Sequence, residues 1–307
     1  MIAASVPMLA FTWSELAQQV VDGIRDGGIY ALLALALVII YRSTRVINFA
    51  QGEMATFTTF VAWSLMNQWA HLSFWEAFPL VLVIAFAGGV GIERLLVRWV
   101  EDAPLLTVVI LTLGLALLLN GLTSVIWGGA EKQFQGPFST QTVDIAGAQI
   151  SEQDIGIVAV AVGLVVVLAL FFRFTKLGLA MRAAAVNRQS SRLVGVRVGW
   201  MLALGWGFAA VLGAVAGMLI APIVFLDPNM MQTVLLYAFA AAVLGGLDSP
   251  VGAVVGGIIL GLTITLVGRY VPYVDSTLKL PVALLLIIVV LLFRPAGLFG
   301  RVSVRRV

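Results

Sequence analysis

The sequence contains no cysteine and one histidine, His71. The first absence excludes disulfides and thiolate chemistry. The second excludes a histidine-cluster metal site, and a lone loop imidazole cannot supply the constellation of an intramembrane hydrolase. Charge is scarce too. Asp, Glu, Lys and Arg together make up 11% of the 307 residues, against roughly a quarter in a soluble domain. No basic patch is interleaved with exposed aromatics, so nucleic acid is excluded as a partner. No Lys or Arg precedes the apolar start at residues 1–13. The positive n-region of a cleavable signal is missing, and cleavage is not expected.

What fills the chain is apolar: 61% hydrophobic residues and a mean hydropathy of +1.08. The fold class is an all-α polytopic membrane protein, one transmembrane domain over residues 1–307. Candidate spans of about 20 residues fall at 27–42, 49–68, 79–98, 105–126, 154–173, 200–222, 231–247, 250–271 and 278–293. Some could be re-entrant, so eight to ten transmembrane or re-entrant helices are expected. Before them, residues 14–26 place Leu16, Val20 and Ile24 at helical spacing opposite Glu15, Gln18, Gln19 and Asp22. That pattern predicts a short amphipathic helix at the membrane surface.

The loops sort by charge. One alternating set holds Arg42, Arg45, Arg94, Arg98, Arg173, Lys176, Arg182, Arg188, Arg192, Arg197, Arg294, Arg301, Arg305 and Arg306, which is 14 of the 18 basic residues. The other holds Arg25, Lys132, Arg269 and Lys279, with the acids Glu76, Glu131, Asp144, Glu152, Asp154, Asp227 and Asp275. Basic loops stay in the cytoplasm. The expected site is the cell membrane, with the C-terminus cytoplasmic. Two loops are long. The outer loop 127–153 reads either as a contact for a soluble partner or as a cap on the bundle. The inner segment 174–199 carries a cluster of arginines.

The stretch 27–54 organises the chain. An uncharged block stops at Arg42 and Arg45, then turns through Asn48, Phe49, Ala50, Gln51, Gly52 and Glu53 into the next apolar run. Polar, backbone-breaking residues between two membrane segments are tolerated where they line protein or water. These residues are candidates for a substrate path. The plainer reading is an interfacial turn with Glu53 as a helix-start acid. Asn120, with Thr112 and Thr123, sits deep in the fourth span and needs a partner, from another helix or from a substrate path. Asp248 precedes Ser249 and Pro250, an N-cap followed by proline at the first helical position; Asp248 caps or binds. The junctions at 48–53 and 244–252 echo each other as two weak internal repeats, an arrangement seen in transporters. Small residues four apart, Gly205, Ala209, Gly213 and Gly217, then Gly252 with Gly256 and Gly257 with Gly261, predict close helix packing.

The inner segment presents Thr175, Gly178, Arg182, Asn187, Arg188, Arg192, Leu193 and Gly195. It predicts a short helix with Gly195 as its stop. Apolar and basic residues together suit a docking knob, or a helix held on anionic lipid by its arginines.

These stretches resemble the branched-chain amino acid permeases of ABC transporters, of the LivH type. The matching residues are Gly28-Ile29-Tyr30-Ala31-Leu32, residues 46–53, Thr175, Gly178, Arg182 and Ala183 closed by Leu193 and Gly195, the 244–252 junction, and residues 293–300. The resemblance covers the chain from about residue 15 onward. It implies an ABC importer permease forming half of a pore. The other parts are a second, LivM-like permease, two cytoplasmic ATPases that hold ATP and Mg, and an extracytoplasmic binding protein for the amino-acid substrate. It implies no cofactor and no covalent chemistry in this chain, and it makes the inner segment the coupling helix. One departure stands out. The family often places an acid shortly after Asn187, and Arg188-Gln189-Ser190-Ser191 has none; a more acidic ATPase groove would answer it. Urea and short-amide permeases share this architecture and are the alternative within the family. A self-sufficient secondary transporter or channel would show ionisable relays inside its spans, for which Glu53 is the one clear candidate.

Overall fold

The computed structural model describes residues 12–100, 103–145, 148–271 and 278–300. The readings made on residues 1–11, Asp275, Arg301, Arg305 and Arg306 lie outside the described residues.

Helix α1 runs Trp13–Thr44, 32 residues, or about 48 Å. Thr12 caps its start by accepting from the Glu15 N–H at 3.3 Å, and Arg45 ends it in the left-handed region at φ 61°. Residues 14–26 are therefore not a separate surface helix, as the sequence predicted, but the outer turns of α1. Neighbouring helices supply the reason. Arg269 donates to Glu15 at 2.8 Å and Arg25 to Asp154 at 3.0 Å, so the polar face is answered by protein rather than by lipid headgroups.

The other helices are α2 Gln51–Ser64, extended by a π turn at Leu65–Trp69; α3 Phe74–Leu95; α4 Leu105–Trp127; α5 Glu152–Phe174; α6 Lys176–Val186; α7 Arg188–Leu193; α8 Val198–Val224; α9 Met231–Gly245; α10 Pro250–Tyr270; and α11 Lys279–Phe293. With α1, eight of these match the nine expected spans in order. Among the described residues, α1, α3 with its following 3-10 turn, α4, α5, α8 and α10 are long and apolar enough to cross a bilayer. Helices α2, α9 and α11 are shorter.

Helix α1 is the axis of the bundle, packed by α10, α8, α9 and α5. Its backbone meets α10 directly. A Cβ on Gly261 would lie 2.4 Å from the Gly23 carbonyl oxygen, and one on Gly257 would lie 2.6 Å from the Ala31 Cα. This is the close small-residue crossing the glycine spacing predicted. Leu117, Val125, Val167 and Leu292, on α4, α5 and α11, are exposed, as expected of helices that face hydrocarbon.

Helix α2 begins inside the protein rather than at its surface. Its first turn reaches Asn120 of α4 through Glu53, and its last residue, Ser64, accepts a hydrogen bond from Trp127 at the outer end of α4. Residues 45–50 thus climb from the inner end of α1 into the protein before α2 begins.

The inner segment forms two helices rather than one. Asn187 leaves helical geometry at φ −149° and accepts from the Ser190 N–H at 2.9 Å, starting α7 as a new helix. In the outer loop, Thr142–Ile145 (β1) and Ala148–Ser151 (β2) pair antiparallel, and the Lys132 and Leu226 backbones exchange two hydrogen bonds. Residues 298–299 bond back to Leu244 and Gly245, docking the C-terminal motif onto the α9–α10 junction. Arg42, Arg45, Val186, Asp248 and Phe299 surround one cavity of about 510 Å³ at the end where Arg188 meets Ser43. Among the described residues, Arg42, Arg45, Arg182 and Arg188 gather at this end of the bundle.

Candidate functional site

The junction after α1 is buried, not interfacial. Asn48 is 1% exposed and Gln51 is 0% exposed. Asn48 Oδ1 accepts from the Ala50 N–H at 3.0 Å, and its Nδ2 donates to Gln51 Oε1 at 3.3 Å. Gln51 Nε2 donates to the Ala209 carbonyl of α8 at 2.8 Å. This works only because α8 is bare at the contact: a Cβ on Gly213 would lie 2.7 Å from Gln51 Nε2. Asn48 and Gln51 are therefore committed to shaping the turn and fastening it to α8. Gly52 packs against Leu235 and the Met231 carbonyl of α9.

One turn further, Glu53 faces a different set of groups. Asn120 Nδ2 reaches Glu53 Oε2 at 3.2 Å, the Pro228 carbonyl at 3.1 Å and Asn229 Oδ1 at 3.1 Å. Gln232 Nε2 also donates to Asn229 Oδ1, at 2.9 Å, and the Asn229 N–H donates to Asp227 Oδ1 at 2.7 Å. Glu53 is 8% exposed, whereas Asn229 and Gln232 are exposed. The cluster is a polar recess with a buried carboxylate at its floor and amides at its mouth.

Two short helices begin at this recess. Helix α2 runs outward from Glu53, and α9 runs from Asn229 toward the inner end. Broken helices whose N-termini meet at one point present unpaired N–H groups and the positive ends of two dipoles.

The structure thus joins Glu53 and Asn120, which the sequence singled out separately, and brings Asn48, Gln51 and Gly52 beneath them. Asp248 lies apart. It sits past the far end of α9, about 22 Å along that helix, exposed and paired with Arg45. Asp227, Asn229 and Gln232 were missed as site residues. Their signal was present as a polar break between two apolar runs, like the one at residues 48–53 but with Pro228 in place of Gly52 as its backbone breaker.

The inner residues divide by role. Thr175 caps α6 by accepting from the Gly178 N–H at 2.9 Å, and a Cβ on Gly178 would lie 2.5 Å from the Phe171 carbonyl oxygen. Gly195 turns the chain at φ 82°. Thr175, Gly178, Asn187 and Gly195 therefore build the shape. Arg182 lines a small cleft between α1 and α6. Arg188 donates to the Ser43 carbonyl at 2.5 Å, fastening α7 to the inner end of α1. Arg192 is exposed, and Val186, Leu193 and Val194 are 83%, 88% and 78% exposed, an apolar tip ringed by arginines.

Comparison with known proteins agrees with this architecture. Residues 19–293 match the family described as the permease component of branched-chain amino acid transport systems. The permease LivH of a high-affinity branched-chain amino acid transport system in Escherichia coli is 30% identical, over 94% of this chain and 97% of its own. Its counterpart BraD in Pseudomonas aeruginosa is 31% identical, over 94% and 97%. A probable LivH permease of Methanocaldococcus jannaschii is 28% identical, over 88% of each chain. With nine helices in the expected order and a family match across most of its length, the chain belongs to the branched-chain amino acid transport permease family.

Proposed function

We propose that this chain forms half of the translocation pore of an ATP-driven importer for branched-chain, apolar amino acids. The observation that carries the proposal is the recess where α2 and α9 begin, with Glu53 at its floor and Asn120, Asn229 and Gln232 above it. Polar groups exposed on the flank of a membrane bundle need a partner or a water-filled path. A second, LivM-like permease facing this flank would enclose the recess and complete the pore. The helix N-termini and amides suit the substrate carboxylate, and Glu53 suits its ammonium. The site holds the ligand by few contacts, as passage through a pore requires.

The exposed tip at Leu193 and Val194 fits a groove on a cytoplasmic ATPase, and two such ATPases would bind the ATP and Mg. An extracytoplasmic binding protein would deliver substrate to the face of the outer loop. The chain would lie in the cell membrane, with its gathered basic loops and C-terminus in the cytoplasm. This assembly works by alternating access, the ATPases moving α6 and α7 and so the inner end of α1.

Reconstitution tests the reading. The chain is co-expressed with its ATPase, second permease and binding protein and placed in proteoliposomes. Uptake of labelled leucine, isoleucine or valine is expected only with ATP inside and binding protein outside. Uptake of urea in their place, or uptake without ATP, would overturn it.

A further inference from the structure

The outer end of the bundle holds a second polar chamber, separate from the recess at Glu53. It is a cavity of about 360 Å³ between the outer loop, the starts of α5 and the ends of α8, floored by Arg25 of α1. Cavities that take small ligands span about 300–1,000 Å³.

The charge cluster at its floor is unbalanced. Arg25 touches Asp26 at 2.8 Å, Asp154 at 3.0 Å and Asp22 at 3.4 Å. One guanidinium meets three carboxylates, so the cluster keeps two negative charges; of the three, Asp154 is the one that lines the chamber. All four side chains are mostly covered, at 10% to 27% exposure, and water screens the surplus poorly.

An unmet donor lies in the same wall. Gln153 is 7% exposed. Its Oε1 accepts from the Phe138 N–H at 3.3 Å, but its Nε2 has no acceptor among the described residues. A buried amide donor left without a partner costs free energy, and an acceptor entering the chamber would relieve it. The remaining wall is apolar, with Phe138, Ile223 and Phe225. Phe225 sits at φ 63°, a region a bulky side chain rarely adopts, held there by the two hydrogen bonds between Leu226 and Lys132.

Surplus carboxylates, an unmet amide donor and an aromatic wall point to one kind of ligand. We propose that this chamber is a receiving site for a zwitterion with an apolar side chain, the chemistry of an α-amino acid. The ammonium meets the surplus charge beside Asp154, the carboxylate takes the Gln153 N–H, and the side chain lies against Phe138 and Phe225. The chamber is then the outer entry to the path proposed above, and rests on that reading.

The test uses the full chain alone in lipid nanodiscs, with tritiated L-leucine as the probe and no ATPase or binding protein. Saturable leucine binding is expected. 4-Methylpentanoate, which lacks the ammonium, and isoamylamine, which lacks the carboxylate, should each compete at least tenfold more weakly. Gln153→Met and Asp154→Asn should each weaken binding tenfold or more. Asp154 also caps α5, so Gln153→Met is the decisive variant should Asp154→Asn fail to fold. Gly163→Ala, on α5 with open space at its Cβ position, should bind leucine within twofold of the parent. No saturable binding, or equal binding by Gln153→Met, would overturn the chamber. Failure of the junction reading looks different: normal uptake by assembled Glu53→Gln, with leucine binding still lost in Gln153→Met.

Discussion

Arg45 Nη1 lies 2.5 Å from Asp248 Oδ1, joining two polar junctions 203 residues apart. One junction leads from α1 into α2 and the other from α9 into α10. Helices α2 and α9 begin together at the Glu53 recess, so this ion pair ties the inner approach to one half-helix to the inner end of the other. Both side chains are exposed, at 62% and 44%, and such a pair contributes about 0.2–1 kcal/mol to stability. The role expected of it is therefore coupling rather than stability. Asp248→Asn should leave the thermal midpoint of the purified chain nearly unchanged while lowering substrate-stimulated ATPase activity of the complex several-fold. The double exchange Arg45→Asp with Asp248→Arg should recover part of that activity. A loss that the exchange fails to recover would assign Asp248 another role.

The α1–α10 crossing sets a stricter limit. Gly261→Ala places a methyl group against the backbone of Gly23 and Gly27, which cannot rotate away. Overpacking of this kind costs about 1–3 kcal/mol or more. The variant should show a lower thermal midpoint and less monodisperse protein by size-exclusion chromatography. Gly163→Ala, on α5 with nothing within 4 Å of its Cβ position, should match the parent.

Much of this architecture was legible in the residues. Apolar runs between charged ends placed nine helices, because a bilayer demands length and low charge. The small-residue spacing on α10 announced a close helix crossing, but not that α1 supplies the other side. The long reach of α1 was not legible, because the polarity of residues 14–26 is matched by Arg269 and Asp154, which lie 254 and 129 residues away in sequence. The break at Asn187 was hidden for a local reason: an asparagine that starts a helix and one that continues it look alike without backbone angles. At the site, the buried break at 48–53 was readable, but its partner at 227–232 was not recognised as the same feature. Only the fold shows that α2 and α9 start face to face.

Gln51 and Glu53 should separate on substitution. Gln51 is fully buried and bonded to the Ala209 carbonyl, so Gln51→Leu removes that tie to α8, takes the Oε1 acceptor from buried Asn48 and crowds Gly213. Such a loss costs about 1–3 kcal/mol. Poor yield of assembled complex is expected, with near-normal turnover for what assembles. Glu53→Gln keeps size and hydrogen bonding to Asn120 while removing the charge. Its yield should be near the parent level and its uptake per complex should fall tenfold or more. Uptake normalised to assembled complex distinguishes the two, and normal turnover by Glu53→Gln would remove Glu53 from the path.

The absence of native cysteine allows a clean test of orientation. Gln135→Cys, exposed in the outer loop, should react with an impermeant maleimide in intact cells. Leu193→Cys, at the exposed end of α7, should react only after the membrane is opened. The reverse pattern would invert the topology inferred from the basic loops.

Two arginines of α7 should fail in different ways. Arg192 is exposed beside the apolar tip, and the segment around it has no acid to balance it. Arg192→Glu should weaken co-purification of the ATPase at least fivefold, and the effect should depend on salt, as contacts between exposed charges do. Arg188 instead holds the Ser43 carbonyl at the end of α1. That carbonyl lies two residues before Arg45 and five before Asn48, so α7 is fastened to the stretch that leads into the recess. Arg188→Gln should leave ATPase binding within twofold of the parent but reduce uptake per ATP hydrolysed several-fold. The measurement is the ratio of leucine uptake to phosphate release in proteoliposomes, alongside the amount of ATPase retained. An Arg188→Gln complex with a parental ratio would mean that motion of α7 reaches the pore without passing through the end of α1.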